Sequence, residues 1–373
     1  MTAFNDEAIP IRIVTTDDEL LAVRRLRYDV YVKEQGKRPS GLDHGQRIVI
    51  DELDEGALIL AGFLGNEAVA TGRVIPLQAI PATSDWRRFY MTDQFPVSED
   101  RAVIYSKLMI REGLRGSTIM PQLLIRAYEH CREDGIELGF LHCAPSLVTL
   151  FEMLGCRRYQ AGRIDAEVGL RLPMVQLLGD TEHFASIRSP LIRSARKFSC
   201  NTELATWFQT NFPEFSNPSS VRLMNESQFY DELAGHFSDD KIELFSGLEP
   251  AEVQKITRAS SVFNIGLGEA VLRKGDAGKE MFIVLDGAVE IMTLGTNGER
   301  RLLATLGNGQ FFGEGGFLLS EPRSADTEAI VETRLLSISS ENFHSLLATE
   351  PHVAAKFLSN LSKLLCRRLF VNN

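Results

Sequence analysis

The chain has 373 residues, 44% hydrophobic and 24% charged, which allows two folded cores and is ordinary for a globular protein. Its formal net charge of −10 argues against a protein that holds nucleic acid or anionic membrane by bulk charge. No apolar run approaches the ~20 residues needed to span a bilayer. The opening MTAFNDEAIP lacks the regions of a signal peptide, and the cysteines form no C-x-x-C pair or zinc-spaced quartet, so a cytoplasmic chain with reduced thiols is expected.

The first predicted helix covers 17–36, where Leu20, Leu21, Val23, Leu26, Val30 and Tyr31 recur at helical spacing and Asp17 or Asp18 is placed to cap it. Apolar runs at 57–63 and 68–75, parted by Gly65-Asn66, predict a β-hairpin. A strand over 103–110, a helix over 121–134, a strand over 136–143 and a short helix over 146–154 stopped by Gly155 follow. Strands alternating with helices point to an α/β or α+β domain over 1–178. Residues 179–238 read as a polar, helical bridge made locally basic by Arg188, Arg193, Arg196 and Lys197, a solvated face or a dock for an acidic partner. From 239 to 373 short β-rich runs punctuated by glycine predict a barrel or jelly roll, closed by an amphipathic helix over 350–370. The resulting expectation is an α+β chain: a mixed sheet flanked by helices, then a β-barrel with a terminal helix.

The most informative string is FFGEGGFLLSEPRSADTEA, residues 311–329. Arg323 offers a forked guanidinium suited to phosphate oxygens, Ser324 a hydroxyl, Ala325 a backbone amide and Glu314 a carboxylate able to accept from a ribose hydroxyl. Gly313, Gly315 and Gly316 let backbone approach a ligand closely. The F-G-E and R-S-A elements at this spacing resemble the phosphate-binding cassette of the cyclic-nucleotide-binding family. IELFSGLEPAEVQKI upstream, Gly275-Asp276-Ala277-Gly278 and MFIVLDGAVEI with Gly287 resemble its leading helix and barrel hairpins. The resemblance implies that Gly313, Glu314, Arg323, Ser324 and Ala325 hold a cyclic mononucleotide, cyclic AMP before cyclic GMP, and that the terminal helix is a lid over the base. The sequence ends at Asn373, shortly after that helix, so no DNA-reading helix-turn-helix is expected and the output is expected from the N-terminal half. The apolar terminal helix is also suited to pairing with a copy of itself as a homodimer.

The order of elements over 103–154, with the SLVTLFEMLGCRRY segment, resembles the GNAT acyltransferase superfamily. That resemblance implies two parallel strands splayed apart, a thioester arm lying against the strand backbone at Leu108 and Ile110, and a bulge amide acting as oxyanion donor. Arg115, Gly116 and Ser117 stand in the position of the superfamily's phosphate loop. Thr118 and Met120 replace glycines there, and Phe151 replaces a tyrosine. LRYDVYVKEQG, IDELDEGA and ATGRVIP resemble the N-acyl amino acid and acyl-homoserine-lactone synthases, with Arg27, Tyr31, Asp51, Asp54 and Arg73 at the matching positions and Ser106 in an altered E-x-S-R element. The implied activity is transfer of an acyl group from a pantetheine thioester, on acyl carrier protein rather than coenzyme A, to an amine. The alternatives are an acetyl-CoA-dependent acetyltransferase and a non-catalytic sensor. Arg27 with Asp54 also suits a structural ion pair, Asp51 a turn, Arg73 a solvated strand end and Arg115 a phosphate anchor.

Overall fold

The computed structural model describes residues 9–35, 37–81, 84, 87, 90, 92–115, 117–165, 169–215, 242–258, 260–294 and 299–371. β1 (Ile11–Ile13) leads into α1 (Asp17–Tyr28) through Thr16, whose hydroxyl accepts from the Glu19 amide while Glu19 reaches back to the Thr16 amide. The cap is therefore Thr16. Asp17 and Asp18 instead occupy the first turn, where their charge suits the helix dipole. The helix predicted over 17–36 is also shorter than expected: Asp29–Glu34 widen into a π-helix, and Gly36 lies outside the described residues. The π segment is only six residues, little more than one turn, too short for periodicity to separate the two bond patterns.

A small ribbon of β2 (Leu42–Asp43) and β3 (Ile48–Val49) precedes a 3-10 turn at Glu52–Asp54. β4 (Leu58–Leu64) and β5 (Glu67–Pro76) form the expected hairpin, and β6 (Ala102–Ile110) pairs antiparallel with β5. After α2 (Ile119–Glu133), β7 (Leu138–Cys143) pairs parallel with β6. α3 (Val148–Met153), β8 (Cys156–Arg158), β9 (Arg163–Asp165) and β10 (Gly169–Leu177) complete a mixed eight-stranded sheet, ordered β1-β4-β5-β6-β7-β10-β8 with β9 on β10. β6 and β7 pair only from Ala102–Ile104 to Leu138–Phe140, although both strands run on. Residues 105–108 are partly open to solvent inside an otherwise buried central strand, beyond the last position at which β6 pairs with β7.

Three short helices follow, α4 (Thr181–Ser186), α5 (Ile192–Ala195) and α6 (Thr202–Asn211), while 216–241 lie outside the described residues. α7 (Pro250–Arg258) precedes the barrel strands β11 (Ser260–Ile265), β12 (Ala270–Leu272), β13 (Glu280–Asp286), β14 (Ala288–Leu294), β15 (Arg300–Gly307), β16 (Phe311–Phe312), β17 (Asp326–Ala329) and β18 (Thr333–Ser339). They make two antiparallel four-stranded sheets, β11-β18-β13-β16 and β12-β17-β14-β15, a jelly-roll arrangement. α8 (Glu314–Leu319) interrupts the second half, and α9 (Ser340–Thr349) and α10 (Pro351–Val371) close it. α10 sinks Val353, Ala354, Phe357 and Leu361 into the core, where Phe357 meets Phe343 at 5.2 Å and Phe245 at 5.9 Å between ring centres. Each large side chain so buried contributes about 1.5–3 kcal/mol.

The chain forms two compact units: Met1–Leu141 with Leu154–Cys156 and Val175–Asn211, and His142–Met153 with Arg157–Met174 and Phe212–Asn373. Among the described residues no helix is long and apolar enough to cross a membrane. Cys131 and Cys143 are buried, and burial pushes both thiols up to about 12.

Candidate functional site

In the first unit the structure brings together five of the residues singled out in the sequence, Arg27, Asp51, Asp54, Arg73 and Ser106. α1 supplies Arg27, the turn after β3 supplies Asp51 and Asp54, β5 supplies Arg73, and β6 supplies Ser106. Asp54 is the hub: Oδ2 accepts from Arg27 Nη1 at 2.7 Å and Oδ1 from Arg73 Nη1 at 2.9 Å. Arg73 also reaches Asp51 at 3.0 Å and donates through Nε to Ser106 Oγ at 3.0 Å. The guanidinium side chains of Arg27 and Arg73 are 0% exposed, so the solvated strand end expected as an alternative for Arg73 is overturned. Arg27 with Asp54 does form the anticipated ion pair.

Lys107 joins this cluster because of a bulge. β5 advances from Thr71 to Arg73 while β6 passes from Met109 to Ser106, so β6 carries one extra residue, and Lys107 sits at φ +54°. Lys107 Nζ lies 3.0 Å from Asp51 Oδ2 and 5.0 Å from the centre of the Tyr31 ring. Burial works against the Asp51 carboxylate, yet the hydrogen bond from Arg73 and the charge of Lys107 outweigh it and hold its carboxyl well below the usual carboxylate range. Arg24, Arg27, Arg73 and Lys107 thus face Asp51 and Asp54, an excess of two positive charges. Arg27 Nε and Nη2 and Arg73 Nη2 have no hydrogen-bond partner among the described residues.

Of the residues expected to lie along a thioester arm, Ile110 lies opposite Ala70 on β5, while Leu108 falls within the bulged stretch. Arg115 is committed to Glu34 and, at 3.1 Å, to the Ile110 carbonyl. Ser117 donates to the Leu114 carbonyl at 2.6 Å, and Gly116 lies outside the described residues. Gly139 on β7 lies directly against the Tyr105 ring, with no room for a Cβ. Burial pushes the Tyr105 phenol well above its ordinary range.

In the second unit Gly313, Glu314 and Arg323 come together. Gly313 adopts φ +80° as the residue preceding α8. The Arg323 guanidinium lies between Gly278 and Gly316: a Cβ on Gly278 would sit 2.6 Å from Nη2, and one on Gly316 would sit 2.7 Å from Nη1. Nη1 donates to the Glu280 carbonyl at 2.8 Å and the Gly313 carbonyl at 2.9 Å, and Nη2 lies 3.4 Å from the Glu280 carboxylate. Burial lowers the Arg323 pKa, and its Nε has no partner among the described residues. A buried cation in a glycine-lined cradle with a spare N–H is the donor set that a cyclic phosphate requires. Ser324 is exposed beside it and Ala325 is buried. From α10, Arg368 lies 3.4 Å from Glu314 Oε1, donates to the Phe311 carbonyl at 2.7 Å and stacks 3.9 Å over the Phe311 ring. Sequence reasoning did not single out Gly278, Glu280 or Arg368 as parts of this site. Gly278 stood out only as part of the Gly275–Gly278 string that resembles a barrel hairpin, whereas Glu280 and Arg368 carry no local signal.

A jelly roll with this cradle is a cyclic nucleotide-binding fold, and the family comparisons agree: residues 263–350 match the cyclic nucleotide-binding domain. Residues 22–178 match the family described as N-acyl amino acid synthase FeeM. The chain is similar to the cyclic AMP receptor protein of Thermus thermophilus, 37% identical over 129 residues covering 34% of this chain and 56% of that protein. It is also similar to the cyclic nucleotide-gated potassium channel mll3241 of Mesorhizobium japonicum, 34% identical over 116 residues covering 31% of each. The solved catabolite activator protein of Thermus thermophilus aligns at 32% identity and a TM-score of 0.33, over 35% of this chain and 59% of that one. The chain spans about half or less of the length of these relatives. It combines a cyclic nucleotide-binding domain with an N-acyl amino acid synthase-like domain.

Proposed function

We propose that the protein is an N-acyltransferase regulated by a cyclic nucleotide, cyclic AMP before cyclic GMP. It moves an acyl group from a pantetheine thioester on acyl carrier protein to the amine of an amino-acid-type acceptor. The reading is carried by one observation: β6 parts from β7 at a bulge beside the Arg27–Asp54–Arg73–Ser106 cluster, on a chain that also bears the Arg323 cradle. A backbone amide freed by the bulge polarises the thioester carbonyl. The acceptor nitrogen then forms the new C–N bond, the C–S bond breaks, and the proton lost by the amine ends on the departing thiolate by way of water. Asp51, held ionised by Arg73 and Lys107, accepts a hydrogen bond from the acceptor and steers it without keeping its proton.

Thr118 and Met120 in place of glycines, and an Arg115 already engaged by Glu34, disfavour a coenzyme A diphosphate and suit the single phosphate of a carrier-protein arm. In the barrel, Arg323, Ser324 and the Ala325 amide would hold the cyclic phosphate and Glu314 the ribose hydroxyl. Acyl transfer from purified acyl carrier protein, changed by cyclic AMP and unresponsive in Arg323→Ala, is the expected result. Transfer from acetyl-CoA alone overturns the donor. A second reading, a non-catalytic sensor, draws on the complete burial of Arg27 and Arg73, and failure to bind any thioester with intact nucleotide binding selects it.

A further inference from the structure

The second unit contains a buried ion pair that no catalytic or nucleotide contact explains. Arg158, at the end of β8, has a side chain 4% exposed, and Glu269, in the turn between β11 and β12, one 7% exposed. Glu269 Oε1 accepts from Arg158 Nη2 at 3.1 Å and from the Gly162 amide at 2.6 Å, and Oε2 accepts from the Gly266 amide at 3.0 Å. Arg158 Nη1 donates to the Asn264 carbonyl on β11, and its guanidinium lies 5.6 Å over the Phe215 ring. Such a pair is costly to desolvate and adds little net stability over apolar side chains of the same volume.

The same turn is tied to the phosphate cradle. The Ala329 amide donates to the Glu269 carbonyl at 3.0 Å, and the Gly268 amide to the Ala329 carbonyl at 2.8 Å. Ala329 ends β17, the strand that follows Arg323-Ser324-Ala325. A second tie runs through the 275–278 loop. Gly275 donates to the Arg323 carbonyl at 2.8 Å, the Arg323 amide donates to the Asp276 carbonyl at 2.9 Å, and Gly278 faces the guanidinium. The other side of that loop meets Gly169 at the start of β10, where a Cβ would sit 2.5 Å from the Ala277 carbonyl oxygen. Asp165 on β9 also acts on Asp276, whose carboxyl is raised by burial and then by this like charge.

Both edges of the cradle therefore end on the segment that contains β8, β9 and the start of β10, and β10 lies beside β7, the strand that parts from β6. We infer that the Arg158–Glu269 pair, seconded by the Gly169 contact, is the coupling element through which nucleotide capture changes the acyltransferase sheet. The inference rests on the regulated-enzyme reading above. Arg323 turns from the Gly313 and Glu280 carbonyls toward an incoming phosphate, the 275–278 loop and the 266–269 turn follow it, and β8 and β10 are shifted through their fastenings. Two arrangements of one buried pair make the bistable step that allostery requires.

Coupling between two binding sites is reciprocal, so an inert thioether analogue of acyl-pantetheine must alter the Kd for cyclic AMP by the factor through which cyclic AMP alters its own. Calorimetry on the full chain is expected to show a shift of at least about fivefold in the native protein. In the double variant Arg158→Met with Glu269→Gln, both ligands still bind and the shift falls below about twofold, since two neutral side chains keep the volume without the charges. An unchanged shift in that variant overturns the pair as coupling element. A native protein that binds both ligands with no shift overturns the regulated reading itself, and one that binds no analogue overturns the enzyme reading. If the double variant lacks a melting transition, Gly169→Ala, which disturbs only the second contact, is put through the same titration. A shift undiminished there overturns the route.

Discussion

Arg368 and Glu314 meet at 3.4 Å across the mouth of the cradle, the cation from the last turn of α10 and the carboxylate from the first turn of α8. On the proposed reading Glu314 accepts from the ribose hydroxyl, so nucleotide and Arg368 would compete for it. The pair is part exposed, 35% and 26%, which limits its worth to about 1 kcal/mol, or roughly fivefold in affinity. Arg368→Ala is accordingly expected to tighten cyclic AMP binding by about twofold to fivefold at low salt, with the gain vanishing at high salt. Weaker binding in a titration would place Arg368 on the nucleotide instead.

How much of this was readable without coordinates depends on how local each feature is. Glu314 and Arg323 lie on one short string, so their spacing announced the cradle. Arg27, Asp51, Asp54, Arg73 and Ser106 were legible as separate motifs, but not that Asp54 would bridge two fully buried guanidiniums, because that depends on a hairpin bringing β5 against α1. The Lys107 bulge depends on a register offset between β5 and β6, which periodicity along one strand does not contain. Arg368 reaches Glu314 across 54 residues, and nothing near either position signals it.

Asp54→Asn tests the hub. The amide keeps the shape but leaves Arg27 and Arg73 with too little negative charge in a site closed to water. Breaking a buried pair by removing one partner costs about 3–5 kcal/mol, and Asp54 serves two. A fall in Tm of at least about 6 °C is expected in thermal unfolding. A variant that melts like the native protein while losing acyl transfer would show that Asp54 acts on substrate and does not hold the cluster together.

The pH behaviour of Asp51 follows from its sign. Arg73 and Lys107 depress its folded pKa, so its contribution to stability is complete above the unfolded value of about 3.9 and is lost only as pH falls from there toward the folded value. Between about pH 5 and 8 neither stability nor activity is expected to show an inflection from this group. Asp51→Asn should lower activity without moving the acidic limb of the rate profile. A limb displaced in that variant would assign the titration to Asp51 and overturn the view that it stays ionised.

Gly316→Ala and Gly315→Ala form a matched pair on α8. A methyl at Gly316 would run into the Gly278 carbonyl and lie 2.7 Å from Arg323 Nη1, whereas a methyl at Gly315 meets nothing within 4 Å. Helix propensity favours alanine at both positions, so any difference between the variants comes from the cradle. In Gly316→Ala the guanidinium is displaced from its place between Gly278 and Gly316, and hydrogen bonds of a charged donor to phosphate are worth about 1.5–3 kcal/mol, so a loss of at least about tenfold in cyclic AMP affinity is expected. Gly315→Ala should bind as the native chain does and melt at the same temperature or slightly higher. Equal affinities for the two variants in calorimetry would mean that the phosphate is not read from between Gly278 and Gly316, and that Arg323 serves the fold there and not the ligand.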